Sequence, residues 1–190
     1  DVAFGPGSIP HLGEWLGAGG FGVQRSAFGI ADERRFAATL PMHRERSFQA
    51  WVQISMGCNS KCAYCIVPSV RGREVSRRAG EILAEVEGLA RRGLQEAILV
   101  SQDTLAYGRE LPGNGDIGDL LLALSDTAMP WIRPMYHHPA HVTDRLIDKW
   151  RRARVVPYLD MPVQHGDDSI LKAMRRGVTA RRMLDVIARL

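Results

Sequence analysis

Gly57-Cys58-Asn59-Ser60-Lys61-Cys62-Ala63-Tyr64-Cys65 holds every cysteine of the chain, spaced C-x3-C-x2-C. Three thiolates this close on one loop can converge on a single metal centre. Closed zinc sites and closed iron–sulfur clusters usually take four protein ligands. Three ligands suit a [4Fe–4S] cluster that keeps one iron open for a non-protein ligand. Cys58, Cys62 and Cys65 are therefore the candidate metal ligands. Two other readings stand beside this one. A disulfide with a spare thiol would suit an oxidising compartment. A zinc site completed by a distant histidine would suit a basic nucleic-acid-binding module.

The chain has 190 residues, 45% hydrophobic and 24% charged, which suits one domain with a sizeable core. No apolar run approaches the length of a membrane span, and no secretory segment precedes the cysteines. Reduced cysteines without an export signal lead us to expect a cytoplasmic protein. The opening Asp1 suggests a piece of something longer. The net charge of +4, from 25 Lys+Arg against 21 Asp+Glu, permits an RNA or ribosomal partner without requiring one.

Residues 1–47 are rich in glycine and mixed in charge, with a short helix possible at 11–16. They read as a linker and the remnant of a preceding domain. Residues 48–190 read as an α/β domain. Alternation of Val52, Ile54 and Met56 with Trp51, Gln53 and Ser55 predicts a strand over 50–56, running into the cysteine loop. Ile82, Val86, Leu89 and Ala90 predict a helix over 79–92, stopped by Gly93. A strand over 96–101 follows, then a Leu-rich helix over 117–125 and a strand over 131–136. Thr143 caps a predicted helix running to 151, with Leu146, Ile147 and Trp150 facing inward. A fourth strand is expected over 155–164, although Pro157 and Pro162 oppose regular pairing. Helices over 168–175 and 180–190 close the chain, the second capped by Thr179.

This alternation predicts parallel strands with helical crossovers, a partial (β/α) barrel rather than the eight-fold one, which needs about 250 residues. Active sites of such folds lie on the loops at the carboxyl ends of the strands. There the chain places the cysteine loop, Ser101-Gln102-Asp103, His137-His138-Pro139 and Gln164-His165-Gly166. Tyr64 either lays its ring on a bound cofactor or packs the loop. Arg71, in the basic run 71–78, either binds an oxyanion or lies on a solvated loop, with Ser76 near the following helix start. Gln102 and Asp103 either bind a polar ligand or cap a turn. His137, His138 and His141 read as polar rings lining a loop in preference to a metal triad.

From about Phe48 to the end, the chain resembles the methylthiotransferase branch of the radical S-adenosylmethionine (SAM) enzymes. The resemblance rests first on Gly57-Cys58-Asn59 through Cys65-Ile66-Val67-Pro68-Ser69-Val70-Arg71-Gly72-Arg73-Glu74 and Ser76-Arg77. It implies that Cys58, Cys62 and Cys65 hold a [4Fe–4S] cluster whose open iron chelates SAM. Tyr64, Arg71, Ser101, Gln102, Asp103 and Gln164 are then the candidate SAM-binding residues. No side-chain base is implied, because hydrogen is abstracted from carbon by a radical derived from SAM. An external electron donor is implied.

Later segments resemble the ribosomal-protein (RimO) type, which methylthiolates an aspartate of a small-subunit ribosomal protein. They are Val100-Ser101-Gln102-Asp103-Thr104-Leu105-Ala106-Tyr107-Gly108, Trp131-Ile132-Arg133-Pro134-Met135-Tyr136 and Tyr158-Leu159-Asp160-Met161-Pro162-Val163-Gln164-His165-Gly166. The alternative within the branch is the tRNA (MiaB) type, acting on a prenylated adenosine. Members of the branch also carry an auxiliary [4Fe–4S] cluster on three further cysteines, and a small terminal β-barrel. This chain has neither set of residues, so the expectation is a radical-generating core that does not complete sulfur insertion alone.

Overall fold

The computed structural model describes residues 2–4, 27–29, 48–113 and 115–190. The chain divides into two compact units, 1–43 and 44–190. In the first, strands β1 (Val2–Phe4) and β2 (Ala27–Gly29) pair in parallel. The helix expected at 11–16 lies outside the described residues.

The second unit is built on three parallel strands, β3 (Gln49–Gln53), β6 (Glu96–Val100) and β7 (Trp131–Pro134), in the order β3-β6-β7. Each crossover carries a helix: α2 (Ala79–Arg91) between β3 and β6, and α3 (Ile117–Ser125) between β6 and β7. The central strand β6 has four of its five residues buried, Glu96, Ala97, Ile98 and Leu99, as a parallel strand covered on both faces requires. Glu96 is buried because the Arg133 guanidinium of neighbouring β7 meets its carboxylate at 2.7 Å. Val52, Leu99 and Ile132 of the sheet share one core with Ile82, Val86 and Leu89 of α2 and Leu120, Leu121 and Leu124 of α3. This parallel α/β arrangement, open rather than a closed barrel, is the fold the sequence predicts.

The helix ends follow local chemistry. Helix α2 stops in a Schellman motif: Gly93 at φ +85° donates to the Ala90 carbonyl at 2.9 Å, and Leu94 donates to the Leu89 carbonyl at 3.2 Å. Asp116 and Asp119 form a reciprocal capping box at the start of α3, both bonds at 3.0 Å. Helix α4 (Asp144–Arg152) begins with the Thr143 hydroxyl accepting from the Leu146 N–H. Helix α5 (Asp168–Ala173) is capped by Asp167, and α6 (Ala180–Arg189) by Thr179.

Two sequence expectations fail. The strand over 155–164 does not form. Pro157 and Pro162 bring no N–H, Tyr158 turns back on the Val156 carbonyl at 2.7 Å, and the segment meets β7 through Val156 N–H to the Ile132 carbonyl and the Arg133 guanidinium over the Tyr158 ring, not through a strand ladder. The first strand is also shorter than read. Beyond Ile54, whose N–H still donates to the Val100 carbonyl at 3.0 Å, the chain leaves the sheet, and β4 (Ser55–Met56) pairs antiparallel with β5 (Val75–Ser76). Ser76 therefore belongs to a strand, and α2 starts at Ala79 after Arg78, which gives no side-chain cap.

Candidate metal and cofactor site

The β4–β5 pair clasps the base of the loop that bears the cysteines. Gly57 opens the loop at φ +76°, and the Cys58 N–H donates to the Gly72 carbonyl at 3.1 Å. Across the base, the Glu74 N–H donates to Asn59 Oδ1 at 3.3 Å. Within the loop, Cys65 N–H turns back on the Cys62 carbonyl at 3.1 Å, and helix α1 (Val67–Arg71) follows, with Pro68 in its first turn. The clasp is itself anchored. Tyr107, fully buried, donates its hydroxyl to the Arg77 carbonyl at 2.9 Å, and Gly108 N–H donates to Ser76 Oγ at 2.9 Å. Arg77 belongs to the basic run 71–78, for which the sequence leaves an oxyanion-binding and a solvated-loop reading open. It is buried, ion-paired to Glu85 at 2.7 Å, and donates to the Gln53 carbonyl.

The cysteine loop leaves the carboxyl end of β3, beside the loops that leave β6 and β7. Thr104 N–H donates to the Tyr136 carbonyl at 3.2 Å, and His137 N–H to the Asp160 carbonyl at 2.8 Å, so these loops knit together. Several buried polar atoms in these loops have no hydrogen-bond partner: Gln102 Oε1, both Asp103 carboxylate oxygens, His137 Nε2 and His141 Nδ1. Asp103 Oδ2 stands 2.6 Å from His141 Nδ1 without hydrogen-bond alignment. Buried polar groups are normally satisfied, so these atoms stand out in the loops at this end of the sheet. Positive φ points to the same end of the unit. Among the described residues, the non-glycines in that region are Tyr136, Gln164 and Arg175, all on loops.

Electrostatics here follow burial. Burial foremost raises the Cys58 thiol above its ordinary value, opposed by the Ser60 hydrogen bonds and reinforced by Asp103 and Glu74. Glu74 is pushed up to about 7, first by burial and then by Asp103 and Glu110. Burial pulls His137 and His138 down to about 4, and the charge of Arg176 adds to the effect on His138.

The residues singled out in the sequence are placed unequally. Ser101, Gln102 and Asp103 lie together at the end of β6: Ser101 is buried against Thr104 (Oγ–Oγ1 3.2 Å), and Asp103 is buried. Tyr64 is half-exposed, its hydroxyl accepting from Arg176 Nη1 at 3.4 Å. Arg71 and Gln164 are exposed, the first in the last turn of α1 and the second on the loop after Val163. His138 caps the turn after β7 through Ala140 N–H, and its ring centroid lies 4.9 Å from that of His141. Arg176 and Glu74 escaped the sequence reading. Both are buried against the cysteine loop.

Cys58, Cys62 and Cys65 are all free thiols, so no disulfide joins them. Among the described residues, no three His, Cys, Asp or Glu side chains converge on a single ion. A cubane asks for something different: each thiolate binds a different iron, so its ligands stand further apart than those of one ion. Three free thiols on one clasped loop, beside unsatisfied polar groups, fit such a cluster and a polar co-ligand. Loading must displace the Cys58 thiol proton that burial favours.

Residues 52–190 match the radical SAM superfamily. The tRNA-2-methylthio-N(6)-dimethylallyladenosine synthases of Staphylococcus aureus strains JH9 and Newman are each 38% identical over 192 residues. The alignment covers 100% of this chain and 37% of each relative, so the chain spans little more than a third of their length. Two solved structures share the fold. One is the cobalamin-dependent SAM radical enzyme OxsB with aqua-cobalamin (TM-score 0.58, 13% identity, 73% of this chain and 22% of that one). The other is the radical SAM methyltransferase TsrM from Kitasatospora setae with cobalamin and a [4Fe–4S] cluster (TM-score 0.56, 16% identity, 74% and 28%). A [4Fe–4S] cluster and SAM are the cofactors of this class of enzyme. By its clasped three-cysteine loop, its parallel sheet and this match, the chain belongs to the radical SAM superfamily.

Proposed function

We propose that this chain is the radical-generating core of a methylthiotransferase that acts on an adenosine of tRNA. The observation that carries this reading is the 38% identity running the whole length of the chain to enzymes named for that reaction. Cys58, Cys62 and Cys65 would hold the [4Fe–4S] cluster, which when bound supplies the electron that cleaves SAM. Asp103, Gln102 and Ser101 would orient the polar end of SAM, and Tyr64 its ring, from the loops beside the cluster. Arg71 and Gln164, at the exposed rim, would meet SAM or the substrate. No acid–base pair is needed to remove hydrogen from carbon. All three cysteines lie on one loop, so sulfur insertion would draw on groups outside these 190 residues. No helix among the described residues is long and apolar enough to cross a membrane. A tRNA substrate would place the enzyme in the cytoplasm.

The sequence segments favoured a ribosomal-protein aspartate as substrate, and the named relatives support the tRNA reading over it. The ribosomal-protein reading keeps the support of the segments that resemble that type, 100–108, 131–136 and 158–166. The test is SAM cleavage by the reconstituted protein with dithionite, read as 5′-deoxyadenosine. A prenylated-adenosine anticodon stem-loop should raise the yield, and an aspartate-bearing ribosomal-protein loop should not. The reverse pattern establishes the second reading. Absence of SAM cleavage from a fully loaded cluster overturns both.

A further inference from the structure

Arg176 reaches the cysteine loop from the far end of the chain. Its Nη1 donates to Cys62 Sγ at 3.4 Å and to the Tyr64 hydroxyl at 3.4 Å, and its Nη2 donates to the Pro162 carbonyl at 3.0 Å. One guanidinium thus joins three segments: the cysteine loop, the irregular segment after α4, and the end of α5. A backbone bond reinforces the junction, Ala63 N–H to the Met174 carbonyl at 3.0 Å.

The backbone is bent to place it there. Helix α5 ends in a Schellman pattern: Arg175 N–H donates to the Lys172 carbonyl and Arg176 N–H to the Leu171 carbonyl, each at 3.0 Å. The left-handed position of that motif normally belongs to glycine, but here Arg175 holds it at φ +55°. The next position normally carries an apolar side chain packed back on the helix. Here it carries Arg176, only 5% exposed, with Nε buried and unpartnered. A strained residue followed by a buried charge works against stability, and points to a role at the cysteine it touches.

We propose that Arg176 is a positioning residue for the cluster, whose N–H bond to Cys62 Sγ raises the reduction potential. The reasoning is electrostatic. Adding an electron makes the cluster more negative, and a donated N–H and a nearby positive charge favour that reduced form. Because Arg176 is itself buried, its charge is screened less than one in open solvent. The inference rests on the cluster assignment, and the experiment separates the two.

The experiment uses anaerobically reconstituted protein, its iron content measured first, then an EPR-monitored potentiometric titration with dithionite. Wild type, Arg176→Gln, Arg176→Lys and Arg175→Gly are compared. Arg175→Gly removes a charge one residue away while keeping the left-handed turn. We expect Arg176→Gln to load iron and shift the midpoint negative by the equivalent of about a tenfold change in the reduction equilibrium, ~59 mV for one electron. Arg176→Lys should shift it less, and Arg175→Gly should leave it in place. If Arg176→Gln fails to hold iron, Arg176→Lys decides: an unchanged midpoint there overturns the proposal. So does an unchanged midpoint in loaded Arg176→Gln, or an equal shift in Arg175→Gly. Failure of wild type to load iron would instead sink the cluster assignment, and this proposal with it.

Discussion

A Cβ added to Gly57 would lie 2.2 Å from the carbonyl oxygen of Arg73. The two strands of the clasp close so tightly there that only glycine fits, and φ of +76° independently favours it. Gly57→Ala must push the loop base apart and break the Cys58 N–H bond to Gly72. The expected result is loss of at least half the iron after reconstitution, with far-UV circular dichroism retained. A fully loaded Gly57→Ala protein would contradict the role of the clasp.

The clasp leans on Tyr107. Tyr107→Phe removes the hydroxyl that satisfies the buried Arg77 carbonyl, with little change of shape. Leaving a buried acceptor unsatisfied costs about 1–2 kcal/mol. Urea unfolding of the cluster-free protein should show a lower midpoint with an unchanged slope. No change in midpoint would mean that the hydroxyl does not anchor the strand pair.

Glu74 and His137 titrate in overlapping windows with opposite consequences. Glu74 holds its proton up to about 7 in the folded chain, against an ordinary value of 4.5. The folded state therefore binds more protons between those values, and stability falls as pH rises through the window. His137, buried and neutral, is held down to about 4 against an ordinary 6.5, so the folded state binds fewer protons and stability falls as pH drops from 6.5 to 4. Between about 4.5 and 6.5 the two offset each other. Glu74→Gln removes one of them. Cluster-free Glu74→Gln should gain about 3 kcal/mol at pH 8, no gain at pH 4, and lose stability more steeply than wild type on acidification. A parallel pair of pH profiles would show that Glu74 is not a buried charge.

Much of this architecture was legible because local chemistry and burial agreed. Gly93 ends α2 as its position suggested, and Thr143 and Thr179 cap the helices they precede. The alternation through Val52 and Ile54 marked the strand that carries the cysteine loop. The segment 155–164 misled because Val155, Val156, Leu159, Met161 and Val163 imitate a buried strand. There, two missing N–H groups outweigh apolar composition, and Asp160 spends its carbonyl and carboxylate on His137 and Tyr136. Arg176 was illegible for another reason. A basic residue at a helix end ordinarily complements the helix dipole in solvent. Only the unusual left-handed Arg175 turns it inward, and no periodicity encodes that turn. Glu74 hid in the same way, since its burial comes from the clasp folding back over it.

The central claim is that Cys58, Cys62 and Cys65 hold a [4Fe–4S] cluster with an iron open to SAM. The direct measurement is iron and zinc content after anaerobic reconstitution, with EPR of the reduced protein recorded with and without SAM. The account predicts about four irons, no zinc, and a spectrum that shifts when SAM is added, with iron lost on substituting any one of the three cysteines by alanine. About one zinc with no iron, or a loaded cluster whose spectrum ignores SAM, would contradict it.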